Sequence, residues 1–139
     1  MPNITLEPLS RGLVQSTGSA LYLFKGSQDV TADADADAAV IDATKGPIVN
    51  VTSDNADKIV HLPKISDGDQ IGLTLLITVG ANGFELRGLD EDNDLLNGAV
   101  GGAAVELAVA ANSTVLCVCT SKTSWAVLSD AAPSVAAAL

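Results

Sequence analysis

The longest regular alternation in the chain runs from Ile71 to Val79. Ile71, Leu73, Leu75, Ile77 and Val79 fall on one side of an extended segment, and Gly72, Thr74, Leu76 and Thr78 on the other. A period of two with β-branched residues predicts a strand with one buried face. Shorter runs predict further strands at Ala20–Phe24, Val40–Ile41, Ile48–Thr52, Ile59–Leu62, Gly83–Arg87, Ala104–Val109, Thr114–Thr120 and Ser124–Leu128. Turn formers punctuate them: Lys25-Gly26-Ser27, Lys45-Gly46-Pro47, Ser53-Asp54-Asn55, Pro63, Gly80-Ala81-Asn82-Gly83, and Asn112-Ser113. Gly88–Gly102, with Asn97-Gly98 inside it, reads as one loop. No helical period persists, and no solenoid repeat is present. The pattern predicts an all-β fold, a small antiparallel β-sandwich or barrel-like domain spanning residues 19–130. Residues 131–139 are Ala-rich and predict a short helix or a frayed tail.

Two segments depart from this pattern. In Thr114–Thr120, Val115, Cys117 and Cys119 share one face while Leu116 and Val118 share the other. With both faces apolar, this strand is expected to be buried on both sides. In so small a domain the second face predicts a subunit interface containing Leu116 and Val118. The other departure is residues 1–18. Pro2, Pro8, Gly12 and Gly18 oppose regular structure, yet Ile4, Leu6, Leu9, Leu13 and Val14 are apolar. Such a segment predicts an extended arm that lies on a partner surface.

Composition sharpens both expectations. Hydrophobic residues make up 47% of the 139, but aromatics only 3%. A core of Ala, Val, Leu and Ile buries less area per residue than one built on Phe and Trp, so burial between subunits would help. The formal net charge is −10. Glu7, Arg11 and Lys25 give residues 1–28 a sum of +1, which leaves −11 for the rest. A field of this sign repels phosphate backbones and anionic lipid, so neither nucleic acid nor membrane is an expected partner. No apolar run approaches the roughly 18 residues of a membrane span. Glu7, Pro8 and Arg11 interrupt any signal-peptide core. These features predict assembly in a reducing cytoplasm.

Candidate chemistry is sparse. Cys117 and Cys119 sit two apart on one strand face, a poor disulfide geometry. A C-x-C metal site is the alternative to two buried small hydrophobes. His61, the only histidine, lies in an apolar strand and predicts a surface or subunit contact. Asp33, Asp35 and Asp37 fall on one face of an extended segment, where carboxylates diverge rather than converge on a calcium ion. Asp90, Asp92 and Asp94 open like an EF-hand loop. Leu95 stands where glycine is required, and Gly101 where a bidentate glutamate is required. No nucleophile elbow or phosphate-binding glycine loop occurs. No catalytic residue, cofactor or metal ligand is expected.

From about residue 57 to 128 the motifs follow a familiar order. Ile59-Val60-His61-Leu62-Pro63 precedes the acidic turn Asp67-Gly68-Asp69 and the long strand. Gly83-Phe84-Glu85-Leu86-Arg87, Leu95-Leu96-Asn97-Gly98, Ala111-Asn112-Ser113-Thr114, Cys117 and Ser124-Trp125 come after. This series resembles the trimeric β domain of tailed-phage capsid decoration (cement) proteins and head fibres. The resemblance implies a non-catalytic homotrimer bound to the major capsid protein on the virion exterior. On that basis Ile4, Leu6, Leu9, Arg11 and Leu13 are the expected capsid-docking residues. A tail-fibre or spike module that binds a host receptor is the alternative.

Overall fold

The structure, a computed structural model, describes residues 26–65, 70–100, 105–131 and 134–137. Twelve strands lie in these residues. They are β1 (Ser27–Thr31), β2 (Ala39–Val40), β3 (Ile48–Thr52), β4 (Ile59–His61), β5 (Thr74–Val79) and β6 (Phe84–Arg87), then β7 (Leu95–Leu96), β8 (Ala99–Val100), β9 (Val105–Val109), β10 (Thr114–Ser121), β11 (Ser124–Ser129) and β12 (Ser134–Ala137). Two sheets form a sandwich. One has seven strands in the order β1-β3-β5-β10-β11-β7-β8, the other five in the order β12-β9-β6-β4-β2. The all-β sandwich matches expectation. The antiparallel expectation does not: of the ten strand pairings in the described residues, five are parallel.

The parallel pairings have a simple origin. From β1 to β6 the chain changes sheet at every connection, so odd strands stack in one sheet and even strands in the other. β1, β3 and β5 then run parallel, as do β2, β4 and β6. Only β7–β8 and β10–β11 are consecutive neighbours in one sheet, and both are antiparallel hairpins.

Alternation along each strand supplies the core. Val49 pairs with Ile77 and Ile77 with Val115, and Leu75 pairs with Cys117 and Cys117 with Val127. All of them are buried against Val60, Phe84, Leu86, Leu107 and Val109 of the opposite sheet. Trp125, buried beside Cys119, closes one end of this layer. Its Nε1–H is the one buried side-chain polar atom without a hydrogen-bond partner among the described residues.

Several local expectations are corrected. Ile71 does not continue the inward face of β5. Gly72 adopts φ +89° and its N–H donates to Cys119 O at 2.8 Å, so the chain turns there and Ile71 is 52% exposed. The span expected as a single loop contains β7 and β8. Asn97 and Gly98 have φ +52° and +85°, the two positive values that a tight type I′ hairpin requires. Asn97 also replaces a strand residue: its Nδ2 donates to Val127 O at 2.9 Å and its Oδ1 accepts Val127 N–H at 2.7 Å. The Asp33–Asp37 segment is not extended throughout, because Asp35–Asp37 forms a 3-10 turn. β1 begins within the expected Lys25-Gly26-Ser27 turn. Near the C-terminus, Ser134–Ala137 pairs with β9 instead of forming a helix or a frayed end. The expected strand Ala20–Phe24 and the acidic turn Asp67-Gly68-Asp69 lie outside the described residues.

Two glycines test this geometry in opposite ways. A Cβ on Gly83 would lie 2.3 Å from Val109 O, a backbone atom of the next strand, whereas a Cβ on Gly98 meets open space. Gly98→Ala should therefore cost only the left-handed backbone penalty, about 1 kcal/mol. Gly83→Ala should cost more, because β6 and β9 must separate. Urea unfolding followed by Trp125 fluorescence checks the order, and a less stable Gly98→Ala protein would contradict it.

Candidate subunit interface

The outer face of the seven-stranded sheet is where Leu116 and Val118 emerge. Both point away from the core and are half-buried. Register shows what surrounds them. Ile48 pairs with Leu76, Leu76 with Leu116, and Leu116 with Leu128, giving an apolar row across β3, β5, β10 and β11. Leu128, at its end, is 60% exposed. Beside it runs a second row of Thr74, Val118 and Ala126. Neither row holds an ionisable side chain.

The next row is polar and internally satisfied. Thr78 Oγ1 donates to Asn50 Oδ1 at 2.7 Å, and Asn50 Nδ2 donates to Asp29 Oδ1 at 2.9 Å. Thr114 continues this row, and its N–H donates to Asp130 Oδ1 at 2.8 Å. Charge therefore appears on this face only at its margins. The arrangement is that of an interface core with a polar rim. The sequence pointed to Leu116 and Val118 through the doubly apolar strand. It missed Ile48, Leu76 and Leu128, because only register places them in the same row.

The outer face of the five-stranded sheet is its opposite. Ile59 and His61 of β4 lie beside Glu85 and Arg87 of β6, and all four are buried. His61 Nε2 is 2.8 Å from Glu91 Oε1, so within the chain this histidine is buried in an internal pair instead of lying exposed on the surface. Arg87 Nη1 donates to Asp35 Oδ1 at 2.9 Å and to Glu91 Oε1 at 3.2 Å.

The two acidic segments are occupied locally. Asp33 Oδ1 accepts Ala34 N–H at 2.7 Å and Lys58 Nζ at 3.3 Å, and these bonds hold its carboxyl below the usual range. Asp90 binds the Asn93 side chain through both carboxylate oxygens, at 3.1 and 3.0 Å. Asp94 turns inward, with Oδ2 accepting Asp90 N–H at 3.0 Å, and burial pushes its carboxyl up. Among the described residues no three His, Cys, Asp or Glu side chains converge on a metal position. The arm residues Ile4, Leu6, Leu9, Arg11 and Leu13 lie outside the described residues.

Comparison with protein-family models, with curated proteins and with solved structures finds no match to this chain.

The cysteines face the core. Cys117 is wholly buried and burial pushes its thiol up to about 12, while burial raises Cys119 as well. Thiolate is the reactive form, so neither cysteine should react with a disulfide reagent at pH 8 in the folded protein. Both should react once urea unfolds it. Rapid labelling without denaturant would contradict this placement.

Proposed function

We propose that this chain is a structural virion protein of a tailed phage, acting as a homotrimer on the capsid exterior and reinforcing the shell by binding the major capsid protein. The observation that carries the reading is the uncharged apolar row Ile48–Leu76–Leu116–Leu128 on the outer face of the seven-stranded sheet. Copies that each carry −10 repel one another almost everywhere. They can approach closely where charge is absent, and the two uncharged rows are such a surface. The ordered series of motifs shared with decoration and head-fibre domains points to the same assembly and adds the capsid as its location. A non-catalytic role is part of the proposal.

Cementing needs no reaction. A trimer bound across a junction of shell subunits adds interface that must break before the shell opens. Three attachments per trimer act together, so each can be weak. The arm is the proposed attachment. Its residues Ile4, Leu6, Leu9, Leu13 and Arg11 combine apolar contact with a cation, within residues 1–28 that sum to +1 against −11 for the rest of the chain.

Light scattering should give three times the 14.0 kDa chain mass at low concentration. Leu116→Asp or Val118→Asp should shift this towards the single-chain mass, since an unpaired charge in a dry interface costs several kcal/mol. A single-chain mass for the unaltered protein would rule out the trimer.

Attachment is tested separately. Deleting residues 1–18 should leave a folded trimer that no longer co-sediments with phage shells lacking the protein. Full occupancy by the truncated protein would move the attachment to the β body.

A further inference from the structure

Two of the connections that pass between the sheets meet at one guanidinium. Arg87, at the end of β6, is 5% exposed. It binds Asp35, in the β1–β2 connection, and Glu91, in the β6–β7 connection. The same Glu91 oxygen faces His61 of β4. One carboxylate thus fixes the 88–94 segment to the buried outer face of the five-stranded sheet.

We propose that Glu91 is the pin of an acid-released latch on the β6–β7 connection. Within that segment the Asn93 and Asp94 N–H groups bond back to Asp90 O, at 3.1 and 2.8 Å. Glu91 is the side chain that reaches across to β4 and β6. As a carboxylate it accepts hydrogen bonds and pairs with charge. Protonated, it loses its charge and most of its acceptor strength.

The groups that face it directly are His61 from β4 and Arg87 from β6, and Asp35 from the β1–β2 connection shares the Arg87 guanidinium. Lys64 follows β4, and Asp90 and Asp94 belong to its own segment. Burial pushes the Glu91 carboxyl up, but the bonds from His61 and Arg87 outweigh this and hold it below its ordinary value. A lowered folded value fixes the sign. The latch contributes fully above the ordinary carboxylate range and is lost as pH falls through the lower folded value. Asp94 acts oppositely. Burial raises it, so falling pH through that range favours the closed segment at this carboxyl and works against release.

Opening would free the segment that leads into β7, which pairs with β11 at one side of the seven-stranded sheet, without breaching the core. Hydrogen-exchange protection factors for Asn93 and Asp94, against those of Val115 to Cys119, report the two events separately. In the unaltered full chain the segment should lose protection as pH drops below the ordinary carboxylate range, while β10 keeps its own. Glu91→Gln, which keeps an acceptor but cannot titrate, should flatten the pH profile. Glu91→Ala should show low protection already at neutral pH. Simultaneous loss in segment and core, or an unchanged pH profile in Glu91→Gln, would overturn the latch.

Discussion

Each strand of this protein has one apolar face to bury, and the chain meets that requirement by changing sheet at nearly every connection. The inner faces of β1, β3 and β5 can then pack on those of β4 and β6 as the chain winds between two layers. Winding of this kind makes sheet neighbours parallel. It also brings many connections across the ends of the sandwich, where backbone polar groups need partners. Side chains supply several of these. Buried Gln28 donates to Asp42 O and Gly46 O, and accepts Asp42 N–H, pinning the β2–β3 connection to β1. Asp33 accepts the Ala34 N–H in the same way, and Arg87 ties two further connections through their carboxylates.

The two outer faces of the sandwich differ as a result. On the five-stranded side, connections fold back over β4 and β6. Glu85 and Arg87 are therefore buried although they point away from the core. Cations there meet carboxylates at short range, which offsets part of the acidic charge locally. On the seven-stranded side, β5, β10 and β11 present two uncharged rows that no other described strand covers. A chain this acidic has few places where a like-charged surface can approach without repulsion, and that face is one. This contrast between a sealed polar face and an uncharged apolar one is what favours the apolar face as the proposed subunit contact.

The sequence was most legible where a strand's pattern repeats without interruption. Ile48–Thr52 carries the same bounds as a sequence run and as β3. Ile71 misled because its spacing fits the alternation of β5, while Gly72 takes a left-handed backbone that reverses the chain before the strand begins. β1 was missed because its buried positions are Gln28 and Val30, and a glutamine satisfied by backbone groups gives no apolar signal. The β7–β8 hairpin did carry a signal. Asn97-Gly98 is the dipeptide that best supports two positive φ values, but strands of two residues are too short to show alternation. The Asp35–Arg87 and His61–Glu91 pairs are 52 and 30 residues apart in sequence. No local pattern could join them.

By itself the sequence determined the class of structure, all-β, and the strands on which most of the core depends. It also marked the doubly apolar strand that carries Leu116 and Val118. Those properties reside in side-chain alternation, which is set within a few residues. Tertiary structure alone decided the pairing directions, the apolar row from Ile48 to Leu128, and the meeting of His61, Arg87 and Glu91. Each depends on which strands become neighbours. That choice is made by burial shared between distant segments, and short strands with similar alternation are compatible with either direction of pairing.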